Sequence, residues 1–179
     1  ETQRTPQTWR TPVIVTGLDG KRWEGVVSAD APQTVPITGP AVVNAGLSGY
    51  FRTAYAPELW AALTPRFAEL APADQLGLLY DSRALGEAGM APMSDVLALA
   101  RNAPAGADPL VLDTLASLLE AQDWLYDGRA SQAAFRTFAR ARLAPMAERL
   151  GWDPKPGEPD NAAVARRTVL TTLGRMGDP

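Results

Sequence analysis

Two hydrophobic rhythms divide the chain, and they change over near Tyr55. Across residues 8–16 polar and apolar side chains alternate. Trp9, Thr11, Val13 and Val15 fall on one face and Arg10, Pro12, Ile14 and Thr16 on the other, which is the period of a strand. Gly17-Leu18-Asp19-Gly20 is a turn signal, and residues 22–28 predict the returning arm of a hairpin. Residues 34–38 and 41–44 are short apolar runs around Gly39-Pro40, and Pro36, which lacks an N–H, confines the first of them to a sheet edge. A second turn at residues 44–49 leads into residues 50–55, a fifth strand rich in aromatics. Five short strands separated by turn chemistry suit a small β-sandwich domain over residues 1–55.

From residue 56 onward the period becomes that of a helix. Pro57 suits a first helical position, and Leu59, Trp60, Leu63, Phe67 and Leu70 form one stripe. A second helix from Pro72 carries Leu76, Leu79 and Leu85 and stops before Gly89. Ser94 can cap a short third helix with Val96, Leu97 and Ala100. Asp108-Pro109 opens a fourth, whose apolar face is Val111, Leu115, Leu118, Leu119 and Leu125 and which Gly128 stops. Ser131 opens a fifth with Phe135, Phe138, Met146 and Leu150, in which Pro145 is expected to make a kink or start a new turn. After a Pro/Gly-rich linker, Asp160 opens a sixth with Val164, Val169, Leu170, Leu173 and Met176.

The pattern therefore predicts an α+β chain: a small sandwich at residues 1–55, then an all-helical domain at residues 56–179. Six helices on short loops fit antiparallel stacking like the first helices of an α-solenoid, without the period of a named repeat. The stripe on the sixth helix has nothing after it to cover its outer side. An exposed apolar cluster with Leu173 as its exposed member is expected there, and self-association of the chain through it.

Composition narrows the chemistry more than the fold. The sequence contains no cysteine and no histidine, which removes thiol nucleophiles, disulfides, Ser-His triads and nearly all zinc sites. A net charge of -3 with no long like-charge run argues against a nucleic-acid surface, and no apolar run is long enough to span a membrane. Only Lys21 and Lys155 are lysines among 17 basic residues, a bias that points to a GC-rich bacterial gene. The chain opens at Glu1 without a methionine or signal-like segment and is expected to be an excised piece; its compartment is not indicated.

The string Asn44-Ala45-Gly46-Leu47-Ser48-Gly49-Tyr50-Phe51-Arg52-Thr53-Ala54-Tyr55 resembles a segment of the gluzincin aminopeptidases, the family of aminopeptidase N and the puromycin-sensitive and endoplasmic-reticulum aminopeptidases. Trp9-Arg10-Thr11-Pro12-Val13 is similar to an upstream strand of that family. Residues 72–81 are similar to a downstream helix, and Leu150-Gly151-Trp152 with residues 166–173 to a later stretch. Gln75 stands where the family usually has arginine, and Ala56 where it often has aspartate. The resemblance implies the last two parts of a four-part enzyme, the small β-sandwich and the start of the α-superhelical domain. It places the zinc helix and the strand that binds the substrate N-terminus upstream of Glu1. It thus implies a chain that is not an enzyme by itself and has no cofactor of its own, with zinc in the parent's catalytic domain. The implied partners are that domain of the same polypeptide and the parent's peptide substrates. An independent helical module that binds proteins or peptides is the alternative.

No catalytic, cofactor-binding or metal-ligating residue is assigned. Gly46 and Gly49 fit a tight turn better than an anion site, and Arg52 fits a structural pairing with a carboxylate or carbonyls better than substrate contact. Asp113 with Glu120, and Asp123 with Asp127, have the spacing of acid/base couples but are explained more simply as solvated helix faces. Trp60, Trp124, Tyr126 and Trp152 are expected in the core, and Arg166 and Arg167 at the surface.

Overall fold

The computed structural model describes residues 8–178. β1 (Arg10–Gly17) and β2 (Arg22–Ser28) form the expected antiparallel hairpin, with Val13 opposite Gly25 and Val15 opposite Trp23. Its turn is closed by Gly17 N–H to the Lys21 carbonyl at 2.8 Å and by Lys21 N–H to Asp19 Oδ1 at 3.1 Å. Gly20 sits at φ 84°, a left-handed conformation in which glycine carries no Cβ penalty. β3 (Ala41–Val43) adds to the other edge of β1, giving the order β2-β1-β3.

Among the described residues this three-stranded sheet stands alone, so the second layer of the expected sandwich is not seen; residues 1–7 and 179 of the two expected domains lie outside the described residues. Two predicted strands do not form. In residues 34–38 a tight turn from Ile37 N–H to the Val35 carbonyl, 2.8 Å, bends the backbone at Pro36 and takes it out of ladder register. Residues 50–55 run on without a ladder, and the Thr53 N–H turns instead to a carboxylate on a helix.

Six α-helices follow: α1 (Pro57–Leu63), α2 (Pro72–Glu87), α3 (Asp95–Asn102), α4 (Pro109–Leu125), α5 (Gln132–Leu150) and α6 (Ala162–Arg175). The stripe predicted from Leu59 to Leu70 is broken at Pro65, where α1 passes into a 3-10 segment (Thr64–Glu69); Leu63, Phe67 and Leu70 are buried while Leu59 turns outward. α2 ends at the expected glycine. Gly89 takes φ 69°, its N–H bonds the Gly86 carbonyl at 3.0 Å, and the Met90 N–H reaches back to Leu85 at 2.8 Å. Asp108 caps α4 through Leu110 N–H at 2.8 Å, whereas Ser94 and Ser131 hold the N-cap positions of α3 and α5 without a side-chain bond. α5 runs unbroken through Pro145, which is exposed, so the carbonyl it leaves unpaired lies on the solvent side. α6 begins after Asn161, one residue later than Asp160 suggested.

α4 is the hub, packing against α2, α5 and α6. Its Val111, Leu115 and Leu119 meet one continuous core with Leu79, Leu99, Leu143, Met146 and Val169. The sheet joins that core through Val42, on the face of β3 opposite Val43. The exposed face expected on α6 is overturned. Val169, Leu173 and Met176 are buried, Leu173 at 4% exposure, because α6 lies in the angle between α4 and α5 and is gripped on two sides. The physical ground for association through Leu173 is thereby removed.

Candidate functional site

The densest polar constellation lies where the sheet-bearing part meets α2. It begins with the Asn44–Gly49 turn. Asn44 adopts φ 64°, which asparagine tolerates better than most residues, and its side chain acts as a one-residue strand partner. Its Oδ1 accepts from Gly49 N–H at 2.7 Å and its Nδ2 donates to the Gly49 carbonyl at 3.0 Å. Gly46, at φ 72°, turns its N–H onto Asp74 Oδ1 at 2.6 Å in the first turn of α2. Gly77 lets the turn sit close, since a Cβ there would stand 2.9 Å from Leu47 Cδ2.

One turn further along α2, Asp81 is buried and grips the following segment twice. Its Oδ1 accepts from Arg52 Nη1 at 3.0 Å and its Oδ2 from Thr53 N–H at 2.9 Å. Arg52 is therefore a structural clamp, as its position suggested. Tyr55 completes the joint: its hydroxyl accepts from Val43 N–H at 2.9 Å and so ties the segment to β3. Burial pushes the Tyr55 hydroxyl up to about 12, against the pull of the Val43 N–H, with Asp81 and Asp74 adding to the rise.

Beside this joint is a cavity of about 280 Å³, walled by the Thr53–Pro57 stretch, α1, α2 and the approach to α3. Its polar lining includes Thr53, Tyr55, Trp60, Asp81, Ser82 and Asp95. Thr53 Oγ1 is fully covered and has no hydrogen-bond partner. Burial pushes the Asp95 carboxyl above its ordinary range, and the Trp60 indole N–H pulls it part of the way back. That N–H faces Asp95 without reaching good hydrogen-bond geometry, so it too is covered and unsatisfied. The Tyr55 and Trp60 rings lie 5.9 Å apart at 37°.

The remaining sequence candidates are dispersed. Glu120 accepts from Thr172 Oγ1 at 3.1 Å and pairs with Arg175 on α6, while Asp123 receives Arg136 of α5 in a fork at 2.7–3.1 Å. Glu120 and Asp123 thus serve neighbouring helices instead of solvent, while their spaced companions stand apart, Asp113 half-buried on α4 and Asp127 exposed beyond its end. Trp124 and Trp152 are exposed at 73% and 80%, against the expectation of core positions, because both follow the last inward turn of their helices. Tyr126 is half-buried and stacks on Phe135 with centroids 4.9 Å apart. Arg166 is buried rather than solvated. Its Nε donates to the Gly151 carbonyl at 3.1 Å, and its Nη2 pairs with Glu158; Arg167 is exposed.

Sequence reasoning singled out neither Asp95 nor the covered hydroxyl of Thr53. The available signals were an acidic residue opening α3 and an aromatic pair five residues apart, Tyr55 and Trp60. Among the described residues no group of three or more His, Cys, Asp or Glu side chains converges as a metal site, and no helix is long and apolar enough to cross a membrane. With neither histidine nor cysteine in the sequence, these residues do not fit a zinc ion.

The family described as the ERAP1-like C-terminal domain matches residues 41–179. Aminopeptidase M1-A of Oryza sativa subsp. japonica is 31% identical over 144 residues, covering 75% of this chain and 16% of that protein. Aminopeptidase 2, mitochondrial, of Saccharomyces cerevisiae is 26% identical over 153 residues, covering 83% and 16%. Glutamyl aminopeptidase of Bitis rhinoceros is 25% identical over 158 residues, covering 86% and 16%. The chain spans about 16% of the length of the curated relatives it matches.

Proposed function

Because the chain belongs to the ERAP1-like C-terminal domain family, we propose that it is the non-catalytic C-terminal portion of a zinc-dependent aminopeptidase, supporting the catalytic part and restricting which peptides reach it. The observation that carries this reading is the double clamp on α2. Asp74 holds the Asn44–Gly49 turn and Asp81 holds Arg52 and Thr53, so the sheet and the helical array are pinned at two points about two helical turns apart. A platform that must hold its orientation against another part of a polypeptide needs such a joint, since a single contact would leave it free to rotate. In this reading the zinc and the residues that use it belong to a part of the polypeptide other than this chain, and no catalytic step is assigned to the residues described above.

The purified chain is expected to release no product from aminoacyl chromogenic substrates with zinc added, and to retain no stoichiometric zinc after dialysis. Turnover that survives repurification, or one tightly held zinc per chain, overturns the proposal. The joint is tested by Asp81→Ala, which leaves the half-buried Thr53 N–H and the Arg52 guanidinium without their partner and is expected to cost about 1–3 kcal/mol of stability in urea titration. In a polypeptide joining this chain to the catalytic part, the same variant should change cleavage of long peptides more than cleavage of single-residue chromogenic substrates. Equal effects on both would count against a role in peptide access.

A further inference from the structure

The cavity beside the joint has an imbalance that the clamp does not explain. Two carboxylates line it, and they differ in their company. Asp81 is neutralised by Arg52 at 3.0 Å, whereas Asp95 takes part in no ion pair among the described residues. Of the two, Asp95 alone has no cationic side chain against it, and it is partly withdrawn from water. The Thr53 side chain borders the same space, but its Oγ1 is fully covered and turns no free acceptor toward it. The tilted Tyr55 and Trp60 rings supply electron-rich faces, and Leu78, Leu85 and Met90 supply apolar wall.

Each feature excludes some ligands. An anion would meet two carboxylates. A divalent metal would find no third protein ligand, since no such group converges among the described residues. A neutral amide would leave Asp95 without a counter-charge. A primary ammonium group meets all of the requirements. Its N–H donors suit Asp95 and water, its charge suits the aromatic faces, and an aliphatic stem suits the apolar wall. We infer that this cavity binds a primary ammonium group carried on a short aliphatic stem, the chemistry shared by a lysine side chain and a free alkylamine.

Trp60 provides the readout, because its indole N–H faces Asp95 and the four other tryptophans serve as internal references. The 179-residue chain is titrated with n-butylammonium chloride, and separately with N-acetyl-lysine methylamide, while indole N–H signals are followed by NMR; the Trp60 signal is assigned by its loss in Trp60→Phe. A saturable shift confined to Trp60 is expected with either probe, along with affinity about tenfold weaker in Asp95→Asn, a loss of about 1.4 kcal/mol. Glu24→Gln, at an exposed acid on β2, should leave the affinity unchanged. Saturation by both probes upholds the site and points to a lysine side chain; saturation by butylammonium alone upholds it and points to a free amine. The inference is overturned by a Trp60 shift that does not saturate or is no larger than those of Trp9, Trp23, Trp124 and Trp152. Undiminished binding in a folded Asp95→Asn chain overturns it equally.

Discussion

Asp95 shows how one side chain can be costly where it stands. Its carboxyl is held above the ordinary value of 3.8, first by burial, so in the folded chain it keeps its proton to higher pH than in the unfolded one. Between those two values the folded state binds more protons, and stability falls as pH rises through the window. Asp95→Asn is therefore expected to raise the melting temperature at neutral pH and to leave it nearly unchanged below the ordinary aspartate range, a difference that thermal scans from acid to neutral pH would read. A gain that is the same at all pH values would point to packing instead of charge. The sequence shows Asp95 only as an acid near a helix start, a position where the helix dipole favours a negative charge. That it faces Trp60 follows from the way α1 and α3 are brought together, and no local pattern encodes that. Arg52 was legible as a clamp because a guanidinium in that place calls for a carboxylate or carbonyls, but Asp81, its partner, stands 29 residues away.

At the scale of the element, local chemistry marked the ends of the helices well and their faces less well. Asp108 and Gly89 act by short-range bonds, and so both could be read directly from the sequence. Pro145 stands inside α5 without ending it, because the carbonyl that its missing N–H leaves unpaired lies on the solvent side. Arg166 was misread for the opposite reason: arginine is usually solvated, but α6 needs a cation at the C-terminal end of α5. Its guanidinium meets the Leu150 and Gly151 carbonyls and the Glu158 carboxylate, binding three segments with one planar group. Arg166→Met is expected to cost about 2 kcal/mol in denaturant titration, from lost charge-assisted bonds in a buried place. Arg166→Lys should recover only part of that loss, since an ammonium cannot present the same fork. Full recovery by lysine would show that charge alone matters there.

For the whole molecule, the switch of period near Tyr55 revealed the α+β order, because periodicity is a one-dimensional property. Whether residues 34–38 and 50–55 pair as strands depends on neighbours brought from elsewhere, and there the sequence overstated the sheet. The burial of Leu173 escaped notice for the same reason: a stripe tells which side of α6 is apolar but not how many helices cover it. α4, in contact with three other helices, should hold the slowest-exchanging amides, and β2, an edge strand with exposed positions, the fastest among the regular elements. Hydrogen exchange followed by mass spectrometry would test that ranking, and protection in α6 below that of β2 would contradict the packing described. The central place of α4 also carries a consequence for biosynthesis. A ribosome makes α1–α3 first, and the side of α2 that α4 will cover stays open meanwhile. At about 5–20 residues per second, the stretch from Asn102 to Leu125 takes about 1–5 s to add. For that interval the nascent chain presents leucine-rich surface that a holding chaperone could recognise, and synonymous codons that slow translation between α3 and α4 would lengthen it.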